Sequence, residues 1–166
     1  MTEILSRRMT AHLDSPFVVF LIGFRVNKLW KIGKWLPVLR AMRPMVAELS
    51  ADPESGFLSA EIAWGNPVIM VQYWRSTDDL IRYASDRDAE HLPAWARFNR
   101  EVGSNGDVGI WHETYRVDPG SYEAVYGNMP RFGLARAGSH IPAEGRWANA
   151  LGRLDAGLES TTGETT

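Results

Sequence analysis

The run Phe17-Val18-Val19-Phe20-Leu21-Ile22-Gly23-Phe24 constrains this chain more than any other stretch. It is far shorter than the roughly 20 apolar residues a helix needs to span a bilayer. Its β-branched and aromatic content, starting directly after Pro16, suits an extended strand over residues 17–27. Alternation puts Val18, Phe20, Ile22, Phe24 and Val26 on one side. Phe17, Val19, Leu21, Gly23, Arg25 and Asn27 fall on the other, which ends polar. A strand apolar on both sides requires cover on both faces of its sheet, so a layered α+β domain is expected.

The remaining pattern supplies the layers. Leu39, Met42, Val46 and Leu49 recur at helical spacing, with Pro37 near the start of that helix. Residues 57–64 and 68–74 read as strands joined through Gly65-Asn66-Pro67, a hairpin. Ser76 and Asp79 form a capping box, so the second strand of the hairpin stops near Trp74 and a helix begins. That helix breaks at Ser85-Asp86-Arg87-Asp88 and resumes with Pro93 in its first turn. His91, Trp95, Phe98 and Val102 then share one stripe. Residues 108–117 form a fourth strand, with His112 on one face and Trp111 on the other, and residues 122–129 a shorter fifth. Strand, helix, hairpin, helix, strand is the split βαβ order of ferredoxin-like folds, and the sheet face without helices calls for a second copy of the chain.

Composition narrows the chemistry. At 166 residues one domain with a sizeable core is expected, and a net charge of -2 leaves no global nucleic-acid footprint. The absence of cysteine excludes disulfides, thiolate nucleophiles, zinc-thiolate sites and thiolate-ligated haem. No secretory signal pattern or membrane span is read, so a cytoplasmic location is expected. No phosphate-binding glycine loop, Rossmann fingerprint, G-x-S-x-G or HExxH occurs, which disfavours common nucleotide, hydrolase and metalloprotease functions. His112 and Glu113 are adjacent on a strand and cannot share a metal. Between Arg25 and Arg43 stand six basic residues and no acid (Arg25, Lys28, Lys31, Lys34, Arg40, Arg43). Such a run is either a solvated face or an attraction for an anionic small molecule.

The two imidazoles carry the functional question. His91 on its aromatic stripe is either a hydrogen-bonded structural histidine or a pocket residue acting as acid, base or haem ligand. His112 likewise is either a core histidine or, if the helix bearing His91 packs above it, half of a titratable pair in an apolar cavity.

The segments FVVFLIGFRVNKLW, KWLPVLRAM, VQYWRS, HLPAWARFN, DVGIWHETY and YEAVYGNMPRFGLA, from about Phe17 to Ala137, resemble the DUF4188 family. That family is grouped with a fumagillin-pathway monooxygenase of the antibiotic-biosynthesis-monooxygenase type. The resemblance implies a dimeric α+β barrel of ferredoxin-like subunits, each with a pocket between sheet and helices. Pockets of this kind oxidise aromatic or polyketide compounds with oxygen and no added cofactor, or bind haem as in haem-degrading enzymes and aldoxime dehydratases. On this basis residues 1–16 are an N-terminal arm, 17–137 the monooxygenase-type domain and 138–166 a partly disordered extension, within which Trp147, Leu151 and Leu154 could form a small amphipathic helix.

The expected function is a monooxygenase-like enzyme oxidising a hydrophobic aromatic, polyketide or terpenoid molecule with O2, without a protein-bound cofactor. His91 and His112 would move protons and Asn27 would hydrogen-bond an oxyanion or peroxide, while Trp95, Trp111, Tyr73 and Phe98 shape the pocket. Trp74 resembles the tryptophan that precedes the second helix in the superfamily. Two alternatives accompany this reading: a haem enzyme with His91 as axial ligand, and a non-catalytic small-molecule-binding dimer.

Overall fold

The computed structural model describes residues 3–85 and 105–162, with the backbone alone for 157–162. The elements are β1 (Met9–His12), β2 (Phe17–Val26), α1 (Ile32–Ala51), β3 (Phe57–Ala63), β4 (Val68–Trp74), α2 (Thr77–Ser85), β5 (Val108–Val117), α3 (Leu134–Ala137), β6 (Ser139–Pro142) and α4 (Ala150–Thr162). Four strands form an antiparallel sheet in the order β3-β4-β2-β5, and β1 pairs with β6 in a separate two-stranded ribbon. The crossed order, with the first and third strands of the repeat at the centre, is that of a ferredoxin-like α+β domain.

Register explains why β2 is apolar on both sides. Ile22 lies between Met70 of β4 and His112 of β5, and Phe24 between Val68 and Ile110. Ile22, Phe24, Val68 and Met70, with Val26 and Val108, face α1, where Phe24, Met42, Val68, Met70 and Val108 form one buried cluster. Farther along the same face Val18, Leu49, Trp74 and Leu80 form another, joining α1 and α2 to the sheet. On the opposite face Phe17 is buried with Ala11, Leu134 and Ala135 beneath the β1/β6 ribbon and α3.

Helix α1 starts at Ile32, a full turn before the expected position, so Pro37 and also Pro44 lie inside it. The capping box at α2 is present: Asp79 N donates to Ser76 Oγ at 3.0 Å, and Ser76 Oγ donates to Asp79 Oδ2 at 2.8 Å. Asp79 is buried and accepts bonds from Arg75 and Arg82 as well. Burial alone would raise its pKa, but the hydrogen bonds from Arg75, Ser76 and Arg82 lower it to about 2. Gly56, at φ 78°, approaches so closely that a Cβ there would overlap the Asp79 carboxyl group.

Outside the ferredoxin-like core the structure departs from the sequence reading. Residues 9–12, expected in an arm, form β1, with Met9, Thr10 and Ala11 buried. Four residues are too few for a two-residue period to stand out, and the partner strand is about 130 residues away. The expected fifth strand at residues 122–129 makes only isolated bridges, Met9 with Tyr126 and Leu5 with Met129. In α4 the apolar pattern misleads, because Leu151 is 73% exposed while Arg153 and Ala156 are buried. Arg153 Nε donates to Glu123 Oε2 at 2.6 Å and its Nη1 to the Trp147 carbonyl at 3.0 Å. A satisfied guanidinium therefore anchors this helix where a leucine was expected.

Candidate functional site

Among the described residues, cover on the helix-bearing face of the sheet is uneven. Helix α1 seals the half formed by β3, β4 and the end of β2, while along β5 Ile110, His112 and Thr114 are exposed. His112 lies beside the half-buried Phe20, with ring centroids 5.7 Å apart at 43°. Phe20 and Ile22 give this strip an apolar floor, and one imidazole stands at its rim, open to solvent. His112 is thus neither a core histidine nor buried beneath α1. Its ring is accessible both to water and to a ligand seated on Phe20.

Beside the floor, on the same face of the sheet, runs a buried polar chain. The Trp74 indole, with no exposed surface, donates to Gln72 Oε1 at 2.9 Å, and Gln72 Nε2 donates to Met70 Sδ at 3.0 Å. Gln72 lies directly across β4 and β2 from Phe20. Trp74 is therefore a structural tryptophan that fixes the strand beside Phe20.

The other residues of interest stand elsewhere. Trp111 projects from the opposite face of β5, packed across Gly23, where a Cβ would strike the Val68 carbonyl and come within 2.9 Å of the indole nitrogen. Tyr73 lies on that same face, two strands over and four residues farther along the register, roughly 16 Å away. Asn27 follows β2, where its Nδ2 donates to the Gly106 carbonyl at 3.2 Å. That is five residues beyond Ile22, the register partner of His112, or roughly 17 Å. Asn27, Tyr73, Trp111 and His112 thus do not converge on one point. His91, Trp95 and Phe98 lie outside the described residues.

Tyr73 belongs to a polar cluster with no local sequence signal. Glu61 accepts from Gly133 N at 3.0 Å and from Arg136 Nη1 at 3.3 Å, and Tyr126 Oη accepts from Ala135 N at 3.3 Å. Burial, then Tyr126 and Glu61, raise the pKa of Tyr73, and burial likewise raises that of Tyr126, so both phenols stay protonated. Across the sheet Tyr115 donates to Glu113 Oε2 at 2.6 Å. Glu61 and Glu113 flank Val71 and Leu21 in one register row. This face therefore carries an apolar centre between two tyrosine-carboxylate pairs. Among the described residues no group of three His, Asp or Glu side chains is arranged to hold a metal, and no helix is long and apolar enough to cross a membrane.

The geometry defines a ferredoxin-like domain with an imidazole beside a partly open apolar strip. The model of the family described as Monooxygenase af470-like matches residues 17–134, and the chain belongs to that family. A curated relative, Monooxygenase af470 of Aspergillus fumigatus, is 25% identical over 131 residues, 72% of this chain and 45% of that protein. The chain thus spans less than half the length of that relative. Among solved structures, an aldoxime dehydratase in complex with butyraldoxime superposes with a TM-score of 0.65 at 17% identity, over 83% of this chain and 42% of that one. SnoaB, a cofactor-independent oxygenase from Streptomyces nogalater, gives a TM-score of 0.44 at 14% identity, over 61% of this chain and 92% of that one.

Proposed function

We propose that this protein is a monooxygenase-type enzyme that oxidises a hydrophobic aromatic, polyketide or terpenoid molecule with O2 and without a protein-bound cofactor. Membership of the Monooxygenase af470-like family over most of the chain carries this reading. The strip formed by Phe20, Ile22 and Ile110 gives an apolar ligand a surface to lie on, with the His112 imidazole within reach of its edge. An electron-rich substrate that loses a proton can itself reduce O2. A CH2 group oxidised in this way becomes a carbonyl, with the second oxygen atom leaving as water. His112 takes the first proton and returns one to the departing oxygen. His91, Trp95 and Phe98 complete the pocket in this proposal, with Asn27, Tyr73 and Trp111 outside its centre.

The protein is further proposed to act as a cytoplasmic homodimer, a second copy covering the sheet face that carries Leu21, Val71, Trp111 and Tyr115. Light scattering on the purified chain measures that mass directly.

The test is oxygen uptake with a panel of electron-rich hydrophobic phenols, comparing wild type with His112→Ala. Loss of turnover in a variant with unchanged circular dichroism supports the assignment, and full activity removes His112 from the mechanism. A Soret band on adding haemin that His91→Ala abolishes would replace the cofactor-free reading with a haem enzyme.

A further inference from the structure

One end of the sheet gathers large apolar side chains that no core absorbs. The connection after β2 exposes Leu29 by 64%, Trp30 by 75% and Ile32 by 54%, and Trp64 at the β3–β4 turn is 58% exposed. These two connections are neighbours, because Val26 N donates to Asn66 Oδ1 at 2.9 Å and Asn66 Nδ2 donates to the Val26 carbonyl at 3.0 Å. Their backbones are held firmly. Asn27 N and Lys28 N both donate to the Asp107 carbonyl, and the Trp35 indole donates to the Leu29 carbonyl at 3.0 Å. The apolar tips are thus presented by an ordered scaffold.

The charge along the connection after β2 is one-sided. Lys28 and Lys31 meet the buried Asp107 carboxylate at 2.8 and 2.7 Å, and each side chain remains about 40% exposed. Two lysines against one carboxylate leave a positive excess, to which exposed Arg25 adds, and no acid occurs between Arg25 and Glu48. Exposed tryptophan with leucine and isoleucine, ringed by lysine and arginine, is the composition that partitions into the headgroup region of anionic bilayers. A protein groove would call for shape complementarity, whereas these side chains project from the tips of two connections.

We propose that Leu29, Trp30, Ile32 and Trp64, with Arg25, Lys28 and Lys31, form an insertion surface for an anionic lipid bilayer. The surface lies at the sheet's end, where only Arg25 also belongs to the face that carries Trp111, and it does not depend on the oxidase reading.

The experiment is cosedimentation of the full chain with phosphatidylcholine vesicles made with and without phosphatidylserine. Binding is expected only with phosphatidylserine, weakened by added salt. Partitioning should fall at least about tenfold in Trp30→Ser/Trp64→Ser and weaken in Arg25→Glu. Leu151→Ser, which removes an equally exposed leucine on α4, should bind like wild type. No binding by wild type, or equal binding by the double tryptophan variant, overturns the proposal. So does a fall in solution mass in that variant, which would assign the patch to a second copy of the chain. Thermal melts of each variant separate a lost surface from a lost fold.

Discussion

The buried chain Trp74, Gln72 and Met70 allows a quantitative test of what holds the floor of the proposed pocket. Trp74→Phe keeps an aromatic ring against Phe57, whose ring lies 5.4 Å away nearly edge-on, but removes the indole N–H that Gln72 Oε1 accepts. The lost ring volume costs on the order of 1 kcal/mol. The orphaned amide oxygen, in a side chain only 3% exposed, adds about 1–3 kcal/mol. The total is about 2–4 kcal/mol. Replacing Gln72 by Met as well removes the stranded polar group, so Gln72→Met/Trp74→Phe should be about 1–3 kcal/mol more stable than the sum of the two single variants predicts. Urea denaturation followed by far-ultraviolet circular dichroism, which does not depend on the replaced tryptophan, measures all four corners of the cycle. Strict additivity, or a Trp74→Phe cost of only a few tenths of a kcal/mol, would refute the polar coupling. The consequence for the site is direct, because Gln72 lies beside Phe20 on the adjacent strand.

Three further outcomes follow from particular contacts. Gly56→Ala combines a left-handed backbone with overlap on the Asp79 carboxyl group, so a loss of more than about 2 kcal/mol is expected in thermal or urea unfolding; a neutral result would mean that α2 shifts freely. Asp79 has a folded pKa of about 2 against an ordinary 3.8, a depressed value, so its contribution is present above pH about 4 and is lost as pH falls through 2. Asp79→Asn should be less stable than wild type at neutral pH and show a shallower fall in stability between pH about 4 and about 2; parallel curves would contradict the linkage. Gly23→Ala should displace the Trp111 indole, shifting tryptophan emission and lowering stability, and an unchanged spectrum would mean that Trp111 does not lie across that glycine.

The sequence by itself determined the layered core. A strand apolar on both faces, a helix-spaced run, a hairpin and a Ser76/Asp79 box are local patterns written over a few turns or alternations, and local geometry reads them directly. The strand at residues 108–117 was legible in the same way, including the opposite orientation of His112 and Trp111. Tertiary structure alone decided the rest. The ribbon of β1 with β6, the Arg153–Glu123 anchor of α4 and the cluster of Glu61 with Tyr73, Tyr126 and Arg136 join residues that are distant in the chain and have no shared period. The placement of His112 is of this kind as well. Alternation gives its face, but its exposure beside Phe20 depends on β5 being the sheet's edge and on α1 packing over the other strands, which only strand order and helix docking fix.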